Sequence, residues 1–160
     1  MPADTTKKTL LVFSGDFDRA LAAFTISNGA AAKGDDVTMF FAFWGLNIRR
    51  RPGKVAAQKD LVQAMFGRLM PRGVERLRLS QMNFGGLGAA LMKRVMRQHN
   101  IMSMQEMLAA AQEQGIKLLA CTMSMDFMGF AQEELIDGVE FAGVAAYLAE
   151  ADEANVNLFI

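Results

Sequence analysis

The 160-residue chain has one cysteine, one histidine, three prolines, one tryptophan, one tyrosine and no net charge, its 17 basic side chains cancelling 17 acidic ones. Each shortage removes a class of protein. Cys121 alone cannot form an intrachain disulfide, a CxxC redox pair or a cysteine-based zinc cage. His99 alone rules out any site that needs two histidines. Zero net charge removes overall basicity as a reason to expect nucleic acid as a partner. No run of 18 uninterrupted apolar residues occurs, so no transmembrane helix is expected, and the polar start MPADTTKK does not look like a secretory signal. Without paired cysteines the expected compartment is the reducing cytoplasm.

What is present is unevenly spread. The length suits one domain around one sizeable core. Residues 1–48 carry 4 basic and 5 acidic side chains, residues 49–97 carry 12 basic and 2 acidic, and residues 98–160 carry 1 basic and 10 acidic. The neutral total therefore hides a net +10 middle and a net −9 end. Eleven of the 13 methionines also fall between Met65 and Met128. Complementary regions of this kind favour pairing within the chain or between subunits, and they steer association more than they strengthen it.

The periodicities predict an α/β order. Thr9 to Phe13 and Val37 to Trp44 are apolar runs without alternation, which suits strands buried on both faces. The stretch from Phe17 to Ala32 between them has helical spacing, with Ser14 or Asp16 as its cap and Lys33-Gly34 as its stop. Together these predict a β-α-β unit with a parallel sheet. A basic loop, Arg49-Arg50-Arg51-Pro52-Gly53, leads into a helix expected from Val55 to about Leu69. Glu75 to Leu79 reads either as a short strand or as an extended link. Leu87 to Gln98 is an amphipathic helix with Leu87, Leu91 and Val95 on one side and Lys93, Arg94 and Arg97 on the other. Ser103 and Glu106 form a capping box for a helix reaching Gln114. Ile116 to Ala120 reads as a strand, Gln132 to Ile136 as a short helix and Val139 to Ala142 as a brief strand. A last helix around Ala145 to Ala154 and an edge strand in Asn155 to Ile160 close the chain. The fold expected is a three-layer α/β/α sandwich on a mostly parallel sheet, a single domain over residues 1–160. In it a basic, Met-rich helical segment at about 49–114 is inserted between strands.

Cys121 is the residue most able to carry chemistry. Open parallel sheets gather ligands beyond the carboxyl ends of their strands, and Cys121 falls at such an end. A helix N-terminus facing the thiol would favour its anion. The competing reading is a small apolar core residue, since no Lys, Arg or His stands beside it in sequence. Met123, Met125 and Met128 either line a soft pocket or fill a core, and a copper(I) site of Cys and Met is the weakest option. His99 reads as a surface or capping residue. Gly85-Gly86-Leu87-Gly88 lacks both the GxGxxG pattern and the P-loop ending, and Asp16 with Asp18 suits a cap and a surface charge better than a metal. The basic segment, with Arg49 to Arg51, Lys54, Lys93, Arg94 and Arg97, reads as a solvated face, a dock for an acidic protein or a contact with anionic lipid. It lacks the aromatic interleaving of a nucleic-acid surface.

Three stretches in order, FSGDFDRALAAFTISNGAAAKG from Phe13, VTMFFAFWGLN from Val37 and CTMSMDFMG from Cys121, resemble the DsrE/DsrF/DsrH-like family, and more narrowly its DsrE-like sulfur-carrier branch, sometimes labelled peroxiredoxin-like. The similarity covers nearly the whole chain. It implies a three-layer α/β/α fold, a homo-oligomer, and a cysteine that takes sulfane sulfur or a thiosulfonate in relay with TusA-like and rhodanese-like proteins. Cys121 carries over as the sulfur-bearing residue. Gly15 and Asp16, with Trp44, Gly45 and Asn47, carry over as pocket walls, and Thr122, Met123 and Met125 as neighbours of the cargo. A single thiol favours a carrier over an enzyme that resolves its own disulfide, so the peroxiredoxin label has no support in the residues. The transfer needs no metal and no cofactor. The alternative is a non-catalytic module that binds a partner or a membrane surface through the basic amphipathic segment.

Overall fold

The computed structural model describes residues 5–53 and 59–160. Five strands form one sheet in the order β4-β3-β2-β1-β5, parallel throughout: β1 (Lys7–Val12), β2 (Asp36–Phe41), β3 (Lys117–Cys121), β4 (Glu140–Ala142) and β5 (Val156–Phe159). The helices are α1 (Phe17–Ala32), α2 (Leu61–Leu69), α3 (Leu87–Gln98), α4 (Met104–Glu113), α5 (Thr122–Met128) and α6 (Val144–Asp152). The α/β/α sandwich expected from the sequence is the fold observed.

Side-chain alternation along the central strands explains why their sequences do not alternate. Leu10 and Val12 of β1, Met39 and Phe41 of β2, and Leu118 and Ala120 of β3 enter one core with Phe17, Ala20 and Phe24 of α1 and Met107, Leu108 and Ala111 of α4. Their neighbours Leu11, Phe40, Leu119 and Cys121 face the other way, onto Tyr147 and Ala151 of α6. Both sets are apolar because both faces are covered. Burying a side chain such as Phe24 contributes about 2–3 kcal/mol, and Phe24→Ala would cost roughly 3–5 kcal/mol with its cavity term. The Ser103–Glu106 capping box is present, with Glu106 N donating to Ser103 Oγ (3.2 Å) and Ser103 N to Glu106 Oε2 (2.7 Å). Hydrogen bonding to its carboxylate from the Ser103 backbone, and then from the Ser103 side chain, holds the Glu106 carboxyl below its usual range.

Several sequence expectations need correction. The second strand stops at Phe41, and Phe43–Arg49 winds into a 3-10 helix. The cause is Phe43, whose φ of +52° breaks an extended run. Of the two readings of Glu75 to Leu79 the strand is excluded and the link remains, with Val74–Arg76 a 3-10 turn and Leu77 extended after it. The helix expected from Val55 runs over Leu61–Leu69, and residues 54–58, Lys54 included, lie outside the described residues. Asp16 is the N-cap residue of α1 by backbone, but its side chain makes no cap bond. Gly88 has a packing reason, not a phosphate one: a Cβ there would stand 1.9 Å from Met82 O.

The larger correction concerns charge. Arg49 and Arg50 of the basic loop are not on a solvated or docking face but fully buried. The loop pairs with the acidic end of the chain. Arg50 bridges Leu135 in antiparallel fashion, Ile136 N donates to Arg49 O (2.9 Å), and Arg51 meets Asp137 (2.7 Å). Glu134, itself buried, takes Lys59 on both carboxylate oxygens (2.7 Å each), with Arg50 and Arg72 each 3.7 Å from Oε1. Arg50 also stacks over Phe130 at 4.4 Å and donates Nη2 to Gly67 O at 3.0 Å. Among the described residues Arg49 has no hydrogen-bond partner for any of its three side-chain nitrogens and meets the Phe41 ring, 5.7 Å away. Burial pulls its guanidinium down to about 10, and burial with repulsion from Arg72 does the same for Arg50.

The apolar stripe of α3 is not buried, and Arg94 and Arg97 are exposed with it. Leu87, Leu91 and Val95 are exposed, while Ala89 and Met96 face inward, with Lys93 tied to Glu75 O (2.6 Å). On α2, Leu61, Val62, Met65, Phe66 and Leu69 are exposed too. None of the described helices is long and apolar enough to cross a membrane.

Candidate functional site at the strand ends

All five strands run the same way, so their carboxyl ends share one rim, and the residues singled out from sequence lie along it. The turns after β1 and β2 press together. Gly45 N donates to Phe13 O (2.9 Å), and a Cβ on Gly45 would stand 2.0 Å from Val12 O, while one on Gly15 would stand 2.6 Å from Trp44 O. Only glycine permits that approach. Between the turns lies a cavity of about 350 Å³ lined by Ser14, Gly15, Asp16, Trp44, Asn47, Pro71 and Arg78. Asn47 is buried and tied inward, its carbonyl accepting from Gly73 N at 2.9 Å. Asp18, the second residue of α1, receives Ser80 N (2.8 Å) and Ser80 Oγ (2.6 Å). Burial opposes ionisation there, but the Ser80 bonds outweigh it and hold the carboxyl below its usual range.

Cys121 is the last residue of β3 and the N-cap residue of α5. Its side chain does not cap the helix, and it does not line the cavity between the turns. It is 1% exposed, set with Phe40, Leu119 and Tyr147, and its register partner is Ala142 on β4, the edge strand. The structure thus divides the site residues in two. Gly15, Asp16, Trp44, Gly45 and Asn47 come together at the ends of β1 and β2, and Thr122, Met123 and Met125 stay with Cys121 on α5. Met125 and Met128 belong to the main core, whereas Met123 points to solvent. His99 is exposed at the C-cap of α3. Among the described residues no group of three or more His, Cys, Asp or Glu is placed to hold a metal ion.

An aromatic line crosses the rim, and the sequence did not mark it. Phe159 stacks on Phe13 (5.7 Å between ring centroids), Phe13 on Phe43 (5.4 Å), and Phe43 meets both Trp44 (4.8 Å) and Phe127 (5.8 Å). It joins β5 to α5 across the ends of the strands, and its outer members are 71% (Phe159) and 73% (Phe127) exposed. A phenylalanine at positive φ is strained, and such strain concentrates where function is assembled. The one usable signal was position, since Phe13, Phe43 and Phe159 each fall at or just beyond the end of an apolar run.

Comparison with known proteins agrees with this architecture. E. coli ychN superposes with a TM-score of 0.55 at 15% identity, covering 96% of this chain and 99% of its own. MTH1491 of Methanobacterium thermoautotrophicum, a protein of unknown function, gives 0.55 at 12% identity over 97% and 99%. At those identities the likeness establishes the fold alone. In sequence, the uncharacterized protein YrkE of Bacillus subtilis (strain 168) is 48% identical over 160 residues, all of both chains. The sulfur carrier protein DsrE2 of Allochromatium vinosum is 31% identical over 158 residues, 96% of this chain and 98% of its own. The model of the DsrE/DsrF/DrsH-like family matches residues 5–159, and this chain belongs to that family.

Proposed function

We propose that the protein is a sulfur carrier of the reducing cytoplasm that holds its cargo on Cys121. Family membership and the likeness to a sulfur carrier support a sulfur-transfer role. The observation that carries the residue assignment is the place of Cys121, closing a central strand of a parallel sheet and opening a helix on the rim where such folds bind ligands. The Cys121 thiolate attacks the outer sulfur of a donor persulfide. A new S–S bond forms at Cys121 while the donor's S–S bond breaks, and the donor leaves as a thiolate. An acceptor thiolate, of the TusA-like or rhodanese-like kind, then attacks the same outer sulfur and releases Cys121. The exchange needs neither metal nor cofactor, and no net oxidation occurs.

Burial of Cys121 means that exchange requires a local opening. The cover over it is slight: β4 is a three-residue edge strand, and Tyr147 is the one buried residue of α6. Short edge elements open at a small fraction of the global unfolding free energy. Incubation with a persulfide donor followed by mass spectrometry should show a sulfur adduct on Cys121 that is absent in Cys121→Ser. Wild-type protein that stays unmodified under conditions that load a control thiol would end the proposal. Tyr147→Ala should label faster with a thiol reagent than the wild type, because it thins the cover.

A second reading rests on the exposed apolar faces of α2 and α3 beside Arg68, Arg94 and Arg97. It makes the chain a module that docks on an acidic partner or a membrane surface. It requires salt-sensitive binding that survives Cys121→Ser, and no binding at low salt would remove it.

A further inference from the structure

The buried cation cluster behind the 3-10 turn is short of negative charge. Arg50, Lys59 and Arg72 share one carboxylate, Glu134, which leaves two positive charges in excess. Their side chains are 0%, 10% and 16% exposed, so water does little to screen them. Arg50 Nε has no hydrogen-bond partner among the described residues, and the neighbouring Arg49 adds a further guanidinium without one. Among the described residues no second carboxylate pairs with these three cations. Residues 54–58, Lys-Val-Ala-Ala-Gln, contain no acid. Asp137 is taken by Arg51 (2.7 Å), and Glu75 faces Lys93 (3.4 Å). The rings of Phe130 and Phe41 soften this excess without neutralising it.

A cavity of about 160 Å³ adjoins the cluster, lined by Arg50, Arg72 and Gln105 on its polar side and otherwise largely by apolar residues such as Ile48, Val74 and Leu108. It is below the size of a nucleotide or drug-sized pocket, yet has room for a small anion with a water or two. Glu75 also contributes to the wall, with its carboxylate directed to Lys93. Arg50 gives Nη2 to Gly67 O at 3.0 Å, but its Nη1 reaches Asn47 Oδ1 and Pro71 O only at 3.5 and 3.4 Å, and Arg72 reaches Gly53 O and Gly67 O only at 3.3 and 3.4 Å, so these weakly held donors can turn to a tetrahedral oxyanion.

We propose that this cavity is a binding site for a small tetrahedral oxyanion of the sulfate or phosphate class, held by Arg72 and Arg50 and balancing the excess charge of the cluster. The site is separate from Cys121. A divalent oxyanion supplies the two negative charges that the cluster lacks, so the folded chain is stabilised by mass action when the anion is present.

The test is thermal unfolding of the full chain titrated with sodium sulfate, using sodium chloride at matched ionic strength as the reference. Wild-type protein should show a saturating rise in Tm of about 2–5 °C above the chloride series, and inorganic phosphate should do the same. Arg72→Gln, whose side chain is at the edge of the cluster, should reduce the sulfate rise to the general salting effect. Glu134→Gln should have a lower Tm without anion and a larger rise with it, because three cations then face no carboxylate. Cys121→Ser should respond as the wild type does. A sulfate rise that does not saturate, or one that Arg72→Gln leaves intact, overturns the proposal, as does a response equal to that of chloride.

Discussion

Two clusters of charge lie in the same sheet protein and obey different rules. On the α6 side Glu150 sits between Lys7 (2.8 Å) and Lys117 (2.7 Å), Lys7 also reaches Glu153 (2.9 Å), and Thr38 Oγ1 donates to Glu150 (3.3 Å). Two carboxylates answer two ammonium groups there, and most of the side chains retain some water. Behind the 3-10 turn one carboxylate answers three cations in a nearly dry setting, with Arg49 unpaired beside them. The balanced cluster costs little to form and contributes little. The unbalanced one carries a large desolvation cost, so its single acid has a disproportionate role. Segment charge is therefore a poor guide to exposure: the net +10 middle sends two of its arginines into the interior, where the acidic end meets them.

Breaking the dry cluster should have the largest effect. Glu134→Ala leaves Arg50, Lys59 and Arg72 without a counter-charge and should cost roughly 3–5 kcal/mol, read as a lower urea midpoint with an unchanged slope. A loss below about 1 kcal/mol would mean that the cations escape to water and the contrast between the clusters is false. Arg49→Met should act in the opposite sense. It replaces an unpaired buried guanidinium with an apolar chain of similar reach, and should stabilise the fold by about 1–2 kcal/mol. Destabilisation by Arg49→Met would reveal a partner for that guanidinium in solution.

The same contrast explains what could be read from the chain alone. Strands β1 to β3, helix α1 and the capping box of α4 were legible because local signals and tertiary packing agree there. Leu10, Met39 and Leu118 lie in apolar runs that only a two-faced sheet can bury, and Ser103 with Glu106 is a local motif. Cys121 was legible as a strand-end residue, but its burial was not, because that depends on Tyr147, 26 positions away in the chain. Arg49 and Arg50 read as a surface loop, since nothing in RRRPG announces that Leu135 and Ile136 will pair with it. The stripe of α3 misled for a related reason: period fixes which residues share a face, whereas the packing of the remaining elements decides which face turns inward. The aromatic line depends on four chain segments meeting at the rim, and no local pattern encodes that.

The smallest effect should come from the balanced cluster, and pH isolates it. Bonds from Lys117 and Lys7 pull the Glu150 carboxyl down to about 2, from an ordinary value of 4.5. A carboxyl depressed on folding stabilises the native state above its unfolded value, because the unfolded chain takes up the proton first. That contribution is complete above about pH 5 and fades as the pH falls through the interval between 4.5 and about 2. Lys117 is raised by the same partner, and its share is present at neutral pH and lost only at strongly alkaline pH. Glu150→Gln should therefore lower stability at pH 7 by about 1 kcal/mol or less once solvent screening is allowed for. The difference between variant and wild type should shrink toward zero on acidification to pH 2–3, measured by denaturant unfolding across that range. A difference that stays constant with pH would assign the role of Glu150 to packing over Lys117 and Thr38, not to its charge.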